Sequence, residues 1–351
     1  MNVLMVGVGP KRVGGMWTVA EEYISSTKYN KYVNLKYVST STNGSIIIRV
    51  ICMLVGYIKI LFLLHFYPID IVHVHMAEKG STFRKGRVVK WGKNKNKKVI
   101  IHLHAGPFMN WYDTLSDRKK KKICGIFSCS DKVFVLGEYW KEQLKKIVPK
   151  NKLIVLYNGI KQEEKNNYSL SSNNIVYFGV MNQAKGTYDL IKAIKKIDEF
   201  LPSSMKVILC GNDLEGKVEK MIRSLGIENR FILPGWVIGK TKERIYRNAM
   251  IDVLPSYFEG LSMTILEAMA KGIPVVTTHI STMPEVIGTT EGLVEPGDVN
   301  GLAMRILSLV RNPEKRLELS RDEFERINSI FSVDVFVTNT LKQYKRVLVG
   351  E

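Results

Sequence analysis

Residues 255–278 read PSYFEGLSMTILEAMAKGIPVVTT, and this stretch gives the clearest indication of the fold. Pro255 follows the largely apolar segment 251–254, an order that predicts the end of a strand and the start of a loop. Apolar residues at helical spacing predict a helix over Ser262–Lys271, and Pro274–Thr277 has the composition of a buried strand. Strand, loop, helix and strand in this order indicate a parallel α/β sheet.

Two carboxylates stand out in the stretch, Glu259 in the loop and Glu267 within the helix. Between them, the backbone N–H groups of Gly260, Leu261 and Ser262 lie at a helix N-terminus, which suits a phosphate. Carboxylates beside such a position can accept hydrogen bonds from sugar hydroxyls, so the stretch predicts a nucleotide-sugar site. An ordinary strand–loop–helix with two solvated glutamates is the alternative, and the helical spacing alone favours it.

The composition is that of a globular protein of 351 residues, long enough for two domains. The four cysteines have no metal or redox spacing, so we expect reduced thiols in a cytoplasmic protein. The opening MNVLMVGVG is too short an apolar run for a secretory signal, and no export is expected.

The positive charge is concentrated in the first half of the chain. Residues 1–165 hold 29 Lys and Arg against 11 Asp and Glu, whereas residues 166–351 hold 23 against 22. Two runs carry much of the excess, Arg84–Lys98 and Arg118–Lys122. Such runs suit an anionic membrane surface or a pyrophosphate-linked substrate, although a solvated lysine-rich face explains them as well. A nucleic-acid partner is not expected, because aromatic residues do not interleave with the basic ones.

Strands alternate with helices in both halves of the chain, which predicts two doubly wound parallel sheets. A polar stretch over residues 161–174 reads as a linker, giving domains at 1–165 and 166–332 and a helix 333–351 that returns to the first domain. The apolar segment Ile46–Tyr67 is predicted to be a packed helix, because three basic side chains interrupt it; contact with a bilayer surface stays open.

Four histidines alternate along two predicted strands, as His73 and His75, and as His102 and His104. His75 and His104 fall at the carboxyl ends, where parallel sheets bind ligands, while the other two are expected to be packed. No carboxylate or cysteine at ligand spacing accompanies them, so no metal is expected.

Several sequence motifs of this chain resemble those of the retaining family 4 glycosyltransferases. In that family two glutamates at this spacing follow a P-S-x-x-E-G opening, as Glu259 and Glu267 do. Further motifs occur in the family's order along the chain: Gly14-Gly15, His104 in HLHAGPF, Asn158-Gly159-Ile160, Lys185-Gly186 and Pro284-Glu285.

The resemblance implies the GT-B fold, an α/β architecture with two Rossmann-like domains facing across a cleft. It implies that Glu259 faces the donor sugar, that Glu267 binds the ribose and that Lys185 meets the pyrophosphate. The catalytic residues would be His104, Lys185 and Glu259. The donor-binding set would be Gly14, Gly15, Lys185, Val237, Glu259, Gly260, Leu261, Ser262 and Glu267.

One position departs from the family pattern. Val180 stands where the family has an arginine that clamps the pyrophosphate together with Lys185. Arg12 of the first domain is a candidate to replace that charge.

The expected activity is transfer of a sugar, with retention, from a nucleotide diphosphate sugar to a hydroxyl of a polyprenyl-diphosphate-linked glycan. No cofactor or metal is expected, because no D-x-D motif occurs. The setting would be capsule or exopolysaccharide synthesis by a peripheral protein at the inner face of the cell membrane. A nucleotide-sugar epimerase and a basic nucleic-acid- or membrane-binding protein without catalysis remain as alternatives.

Overall fold

The computed structural model describes residues 1–10, 15–104, 106 and 108–351, which form two compact α/β units. The first unit comprises residues 1–159 and 333–351, and the second comprises residues 160–332. The chain passes from one to the other between Gly159 and Ile160, six residues before the boundary expected from the linker composition.

The first unit contains a six-stranded parallel sheet in the order β2-β1-β3-β4-β5-β6. Its strands are β1 (Asn2–Gly7), β2 (Asn34–Ser39), β3 (Ile71–Met76), β4 (Lys98–Leu103), β5 (Lys132–Val135) and β6 (Leu153–Val155). Its helices are α1 (Gly15–Ser25), α2 (Thr27–Tyr32), α3 (Ile46–Phe66), α4 (Gly80–Asn94), α5 (Phe108–Asp113), α6 (Asp117–Ser128) and α7 (Glu138–Leu144).

The second unit repeats this plan with a parallel sheet in the order β12-β11-β10-β7-β8-β9. Its strands are β7 (Asn174–Phe178), β8 (Val207–Cys210), β9 (Phe231–Gly235), β10 (Ala249–Leu254), β11 (Val275–Thr278) and β12 (Leu293–Val294). Its helices are α8 (Thr187–Ile197), α9 (Val218–Ser224), α10 (Gly239–Arg247), α11 (Met263–Ala270), α12 (Met283–Ile287), α13 (Val299–Arg311) and α14 (Pro313–Arg326).

The last helix, α15 (Val333–Val349), belongs to the first unit. Its residues Phe336, Val337 and Tyr344 are buried, and the Tyr344 hydroxyl lies 2.5 Å from Nδ1 of His73 in β3. Thr340 Oγ1 lies 2.9 Å from the hydroxyl of Tyr23 in α1. The helix therefore packs on the same side of the sheet as α1.

Strand order reverses once in each sheet, which is the mark of a doubly wound fold. In the second unit β8 and β9 follow on one side of β7, whereas β10, β11 and β12 follow on the other. After β7 and after β10 the chain continues toward opposite sides of the sheet. The loops that follow these two strands therefore mark a switch point, where such sheets bind ligands. The prediction of two parallel doubly wound sheets is confirmed.

The two loops at this switch point pack very closely. Gly186 has φ +67°, and a Cβ added there would lie 1.9 Å from the carbonyl oxygen of Pro255. The Tyr257 N–H also donates to the carbonyl oxygen of Ala184 at 2.9 Å. Only a glycine permits both this backbone angle and this approach, so the loop after β7 is fixed against the loop after β10.

Candidate active site

An ion pair joins the two loops of the second unit's switch point. Lys185 ends the 3₁₀ turn Gln183–Lys185 after β7, and its Nζ lies 2.7 Å from Oε1 of Glu259 in the loop after β10. The Asn182 side chain caps the turn by accepting the Lys185 N–H at 3.0 Å. Because Glu259 is 8% exposed and the Lys185 side chain 31%, the ammonium group forms the open side of the pair.

Three hydroxyl hydrogen bonds hold the Glu259 loop in shape. The Ser256 hydroxyl donates to Glu259 Oε1 at 2.8 Å. The main-chain oxygens of Glu259 and Gly260 accept from the Ser281 and Thr282 hydroxyls, each at 2.8 Å. Ser256 therefore helps Lys185 to orient the carboxylate, while Ser281 and Thr282 fix the main chain of the loop.

Helix α11 begins directly after this loop. Ser262 is its N-cap residue, and Leu261 and Ser262 are buried. The Ser262 hydroxyl makes no cap bond to the helix and lies 3.1 Å from Oγ1 of Thr264. The positive end of the helix dipole thus lies beside the ion pair, an arrangement that attracts an anion.

Glu267 lies on α11 and pairs with a lysine that sequence reasoning missed. Its Oε2 contacts Nζ of Lys242 in α10. The Lys242 ammonium group lies 5.3 Å from the ring centre of Phe178 and 5.6 Å from that of Tyr246. Glu267 and Lys242 line a cavity of about 300 Å³. The remaining lining residues are Ile160, Lys161, Gln162, Glu163, Glu243, Tyr246, Ala270 and Lys271.

Lys242 gives the second unit another positive charge close to the end of β7. Phe178, whose ring it approaches, is the last residue of β7 and precedes Val180 by two positions. Arg12, which the sequence offers as a source of this charge, lies outside the described residues. No spacing in the sequence distinguishes Lys242 from its neighbour Lys240, because the contact depends on how α10 packs against β7.

The other donor residues predicted from the sequence lie on separate elements. Val237 follows β9 at the edge of the second sheet and is partly exposed. Gly15 is the exposed first residue of α1 in the first unit, and Gly14 lies outside the described residues. Their contacts with a donor, like those of Glu259 and Glu267 with the sugar and the ribose, stay predictions.

In the first unit, His104 follows β4 and pairs with a second histidine. Its Nε2 lies 2.8 Å from Nδ1 of His75 in β3. Burial, with smaller effects from Lys85 and His73, lowers the pKa of His104 to about 3. The imidazole is therefore neutral at pH 7 and can exchange hydrogen bonds, but it carries no positive charge.

His73 and His102 are buried and stack with His75 and with His104, which is partly exposed. The His73 and His75 rings are parallel with centres 4.8 Å apart, and the His102 and His104 centres are 4.1 Å apart. Nitrogens of His73, His75 and His102 lie within 4.8 Å of one another and could serve as a metal-ligand set. Zinc bonds of about 2.0–2.1 Å would draw these nitrogens closer together. The expectation that no metal is needed stays a prediction.

Two doubly wound parallel-sheet units in one chain define the GT-B class of α/β folds. In the second unit a lysine–glutamate pair and a helix N-terminus occupy the switch point, where this class of sheet binds ligands.

Comparison with known proteins agrees with this class. Residues 172–312, inside the second unit, match the family model described as glycosyl transferases group 1. An uncharacterised glycosyltransferase of Methanocaldococcus jannaschii is 28% identical over 366 residues, covering 98% of both chains. A second one from that organism is 28% identical over 206 residues, or 53% of this chain and 47% of the relative. The O-antigen chain mannosyltransferase B of Escherichia coli is 28% identical over 172 residues, or 48% of this chain and 45% of that protein.

Solved structures show the same fold over the whole chain. A sucrose-phosphate synthase of Thermosynechococcus elongatus superposes with a TM-score of 0.77 at 15% identity, covering 100% of both chains. HepE of Anabaena, solved in complex with UDP, gives a TM-score of 0.75 at 15% identity over 98% of this chain and 100% of that one. The chain therefore has the GT-B fold, and its second unit is similar to the group 1 glycosyl transferases.

Proposed function

We propose that this protein is a retaining, metal-independent glycosyltransferase that uses a nucleotide diphosphate sugar as donor. The observation that carries the proposal is the ion pair of Lys185 and Glu259 at the switch point, beside the N-terminus of α11. A cation and a helix N-terminus suit the diphosphate, and a buried, oriented carboxylate suits the hydroxyls of the sugar.

The chemistry follows from the charge that develops on the leaving diphosphate. An ammonium group has three N–H donors, so Lys185 can keep its bond to Glu259 while it donates to phosphate oxygens. Lys185 and the amides at the start of α11 would then stabilise the leaving group without a metal. Retention would follow from attack on the face from which the diphosphate departs, with a phosphate oxygen accepting the acceptor's proton.

Glu267 and Lys242 are proposed to bind the nucleoside. Glu267 would accept hydrogen bonds from the ribose hydroxyls, and Lys242 would hold that carboxylate in place and add positive charge. The neutral His104 would contact a sugar hydroxyl as a hydrogen-bond partner, since its lowered pKa leaves it uncharged.

The acceptor is proposed to be a polyprenyl-diphosphate-linked glycan in the synthesis of a surface polysaccharide such as capsule or exopolysaccharide. The similarity to an O-antigen chain mannosyltransferase supports a polysaccharide acceptor. The excess of basic residues in the first 165 positions supports an anionic lipid partner. The protein would then work in the cytoplasm at the inner face of the membrane.

A donor panel tests the proposal. UDP-, GDP- and dTDP-sugars are each added to the protein, and the shift in Tm and the slow hydrolysis of the donor are measured. One donor class should raise the Tm, and NMR of the released or transferred sugar should show the donor's anomeric configuration. Formation of an epimerised nucleotide sugar, or inversion at the anomeric carbon, would contradict the proposal.

A further inference from the structure

Helix α3 exposes an apolar face along its whole length. Ile47, Val55 and Ile58 are 71%, 59% and 69% exposed, and Ile51, Leu54 and Phe62 on the same stripe are at least half exposed. Steps of three and four residues set these side chains on one face of the helix. Within the described ranges, α3 is also the single helix whose length and composition would allow it to cross a membrane.

The opposite face of α3 is packed into the first unit. Tyr57, Ile60, Leu63 and Leu64 are buried in the core cluster shared with α4 and the sheet. A Cβ added at Gly56 would lie 2.6 Å from the carbonyl oxygen of Ser39 at the end of β2. The helix therefore lies directly against the sheet edge and could not span a bilayer without leaving this core.

Two helices of the same layer as α3, α4 and α6, carry many basic residues. Tyr57 joins α3 to α4, because its hydroxyl donates to the Arg84 carbonyl oxygen at 2.9 Å and its ring lies 5.0 Å from that of Trp91. The α4–α6 pair continues this layer, since Lys122 Nζ lies 5.5 Å from the Phe83 ring. Residues 46–128 hold 16 Lys and Arg against 4 Asp and Glu.

From these observations we infer that α3 lies in the plane of an anionic bilayer, with its exposed stripe among the upper acyl chains. The helix of 21 residues is about 31 Å long, and the basic residues of α4 and α6 would meet lipid phosphates. A second copy of the chain would bring the same basic layer against itself, whereas an anionic lipid surface neutralises it. The inference deepens the membrane contact of the proposed function by naming its element, but it does not require glycosyl transfer.

Vesicle flotation tests the inference on the full chain. The protein is mixed with vesicles of phosphatidylcholine alone or of equal parts phosphatidylcholine and phosphatidylglycerol, and the bound fraction is measured. Binding should need the anionic lipid, should weaken in 0.5 M salt and should fall at least tenfold in Ile58→Glu. Met304→Glu is the matched control, because Met304 is 65% exposed on α13 of the second unit, and its binding should stay unchanged.

The depth of single residues in the bilayer distinguishes a helix that lies in the membrane plane from one that spans the membrane. Tryptophans introduced singly as Ile47→Trp, Val55→Trp and Phe62→Trp should gain similar quenching from shallowly brominated lipids, whereas a spanning helix would put Val55 deepest. Circular dichroism and Tm check that each variant folds. Equal flotation of Ile58→Glu and wild type would overturn the inference, as would a lipid-independent dimer that Ile58→Glu dissociates. Donor hydrolysis in solution, measured on the same variants, reports separately on the proposed function.

Discussion

Lys185 Nζ and Glu259 Oε1 lie 2.7 Å apart although 74 positions separate the two residues in the chain. The pair connects the loops that leave two adjacent parallel strands, β7 and β10. Its lysine is the more exposed member, so under the proposed function an arriving diphosphate would meet the cation first.

Loss of the Lys185 charge should slow turnover by orders of magnitude. In Lys185→Ala the leaving diphosphate loses a charge-assisted hydrogen bond that strengthens in the transition state, which we expect to cost about 100-fold or more in kcat. Steady-state kinetics with the donor found in the panel measures this. Lys217→Ala removes a lysine from an exposed pair with Glu215 in the same unit and should leave kcat unchanged. Full activity of Lys185→Ala would remove this residue from the site.

Removal of Glu267 should abolish nucleotide binding, because the ribose hydroxyls lose their acceptor. Lys242→Ala should weaken binding about tenfold, since it frees the Glu267 carboxylate and removes a positive charge. Isothermal titration calorimetry with the free nucleotide measures both. Lys240→Ala is the control, because Lys240 is the second residue of the same helix and is exposed. Unaltered affinity in Lys242→Ala would show that the Lys242–Glu267 pair is only structural.

Gly186→Ala should destabilise the second unit by several kcal/mol. The change adds a left-handed backbone cost of about 1–2 kcal/mol and a clash with the Pro255 carbonyl group 1.9 Å away. Gly226→Ala is a matched control, because φ is +63° there and an added Cβ meets nothing within 4 Å. Guanidinium unfolding should show a small loss for Gly226→Ala and a clearly larger one for Gly186→Ala. Equal losses would mean that the two loops can separate at little cost.

Asp252→Asn should stabilise the protein increasingly as the pH rises. Burial raises the pKa of Asp252 well above its usual 3.8, Glu267 adds to the rise and Lys242 opposes it. The folded protein therefore keeps a proton that the unfolded chain releases above pH 3.8, and wild-type stability falls with rising pH. Asp252→Asn has no carboxyl group here to take up a proton on folding. The unfolding free energy of this variant minus that of wild type should therefore grow between pH 5 and 8, by at most about 1.4 kcal/mol per pH unit.

Exposed Asp322 on α14 provides the comparison for this pH series. Asp322→Asn should change the free energy of unfolding little and by a similar amount at each pH. A difference between Asp252→Asn and wild type that stays constant from pH 5 to pH 8 would show that the buried carboxyl does not take up this proton on folding.

Local patterns predicted most of the fold because each element carries its own signal. Helical spacing predicted a helix over Ser262–Lys271, and α11 runs from Met263 to Ala270. A last helix was expected within residues 333–351, and α15 runs from Val333 to Val349. Alternating strands and helices also predicted the parallel sheets, because such crossovers have few alternatives.

Contacts between distant elements could not be predicted in the same way. The alternation of the histidines indicated one face for each pair, but the stacking of both pairs depends on the β3–β4 register that aligns His75 with His102. The partnership of Lys242 with Glu267 depends on the packing of α10 beside α11. A sequence pattern also could not show that α3 buries only one side, because large apolar residues occur on both its buried and its exposed face.

Membrane binding through the exposed side of α3 would change how this protein finds its substrate. A protein held at the membrane by this helix would diffuse in two dimensions, in the same leaflet as a lipid-linked glycan. Encounter frequency then follows the number of molecules per unit of membrane area, and dilution in the surrounding fluid hardly matters. Assays with detached, water-soluble acceptors would on this ground understate the turnover reached on a vesicle.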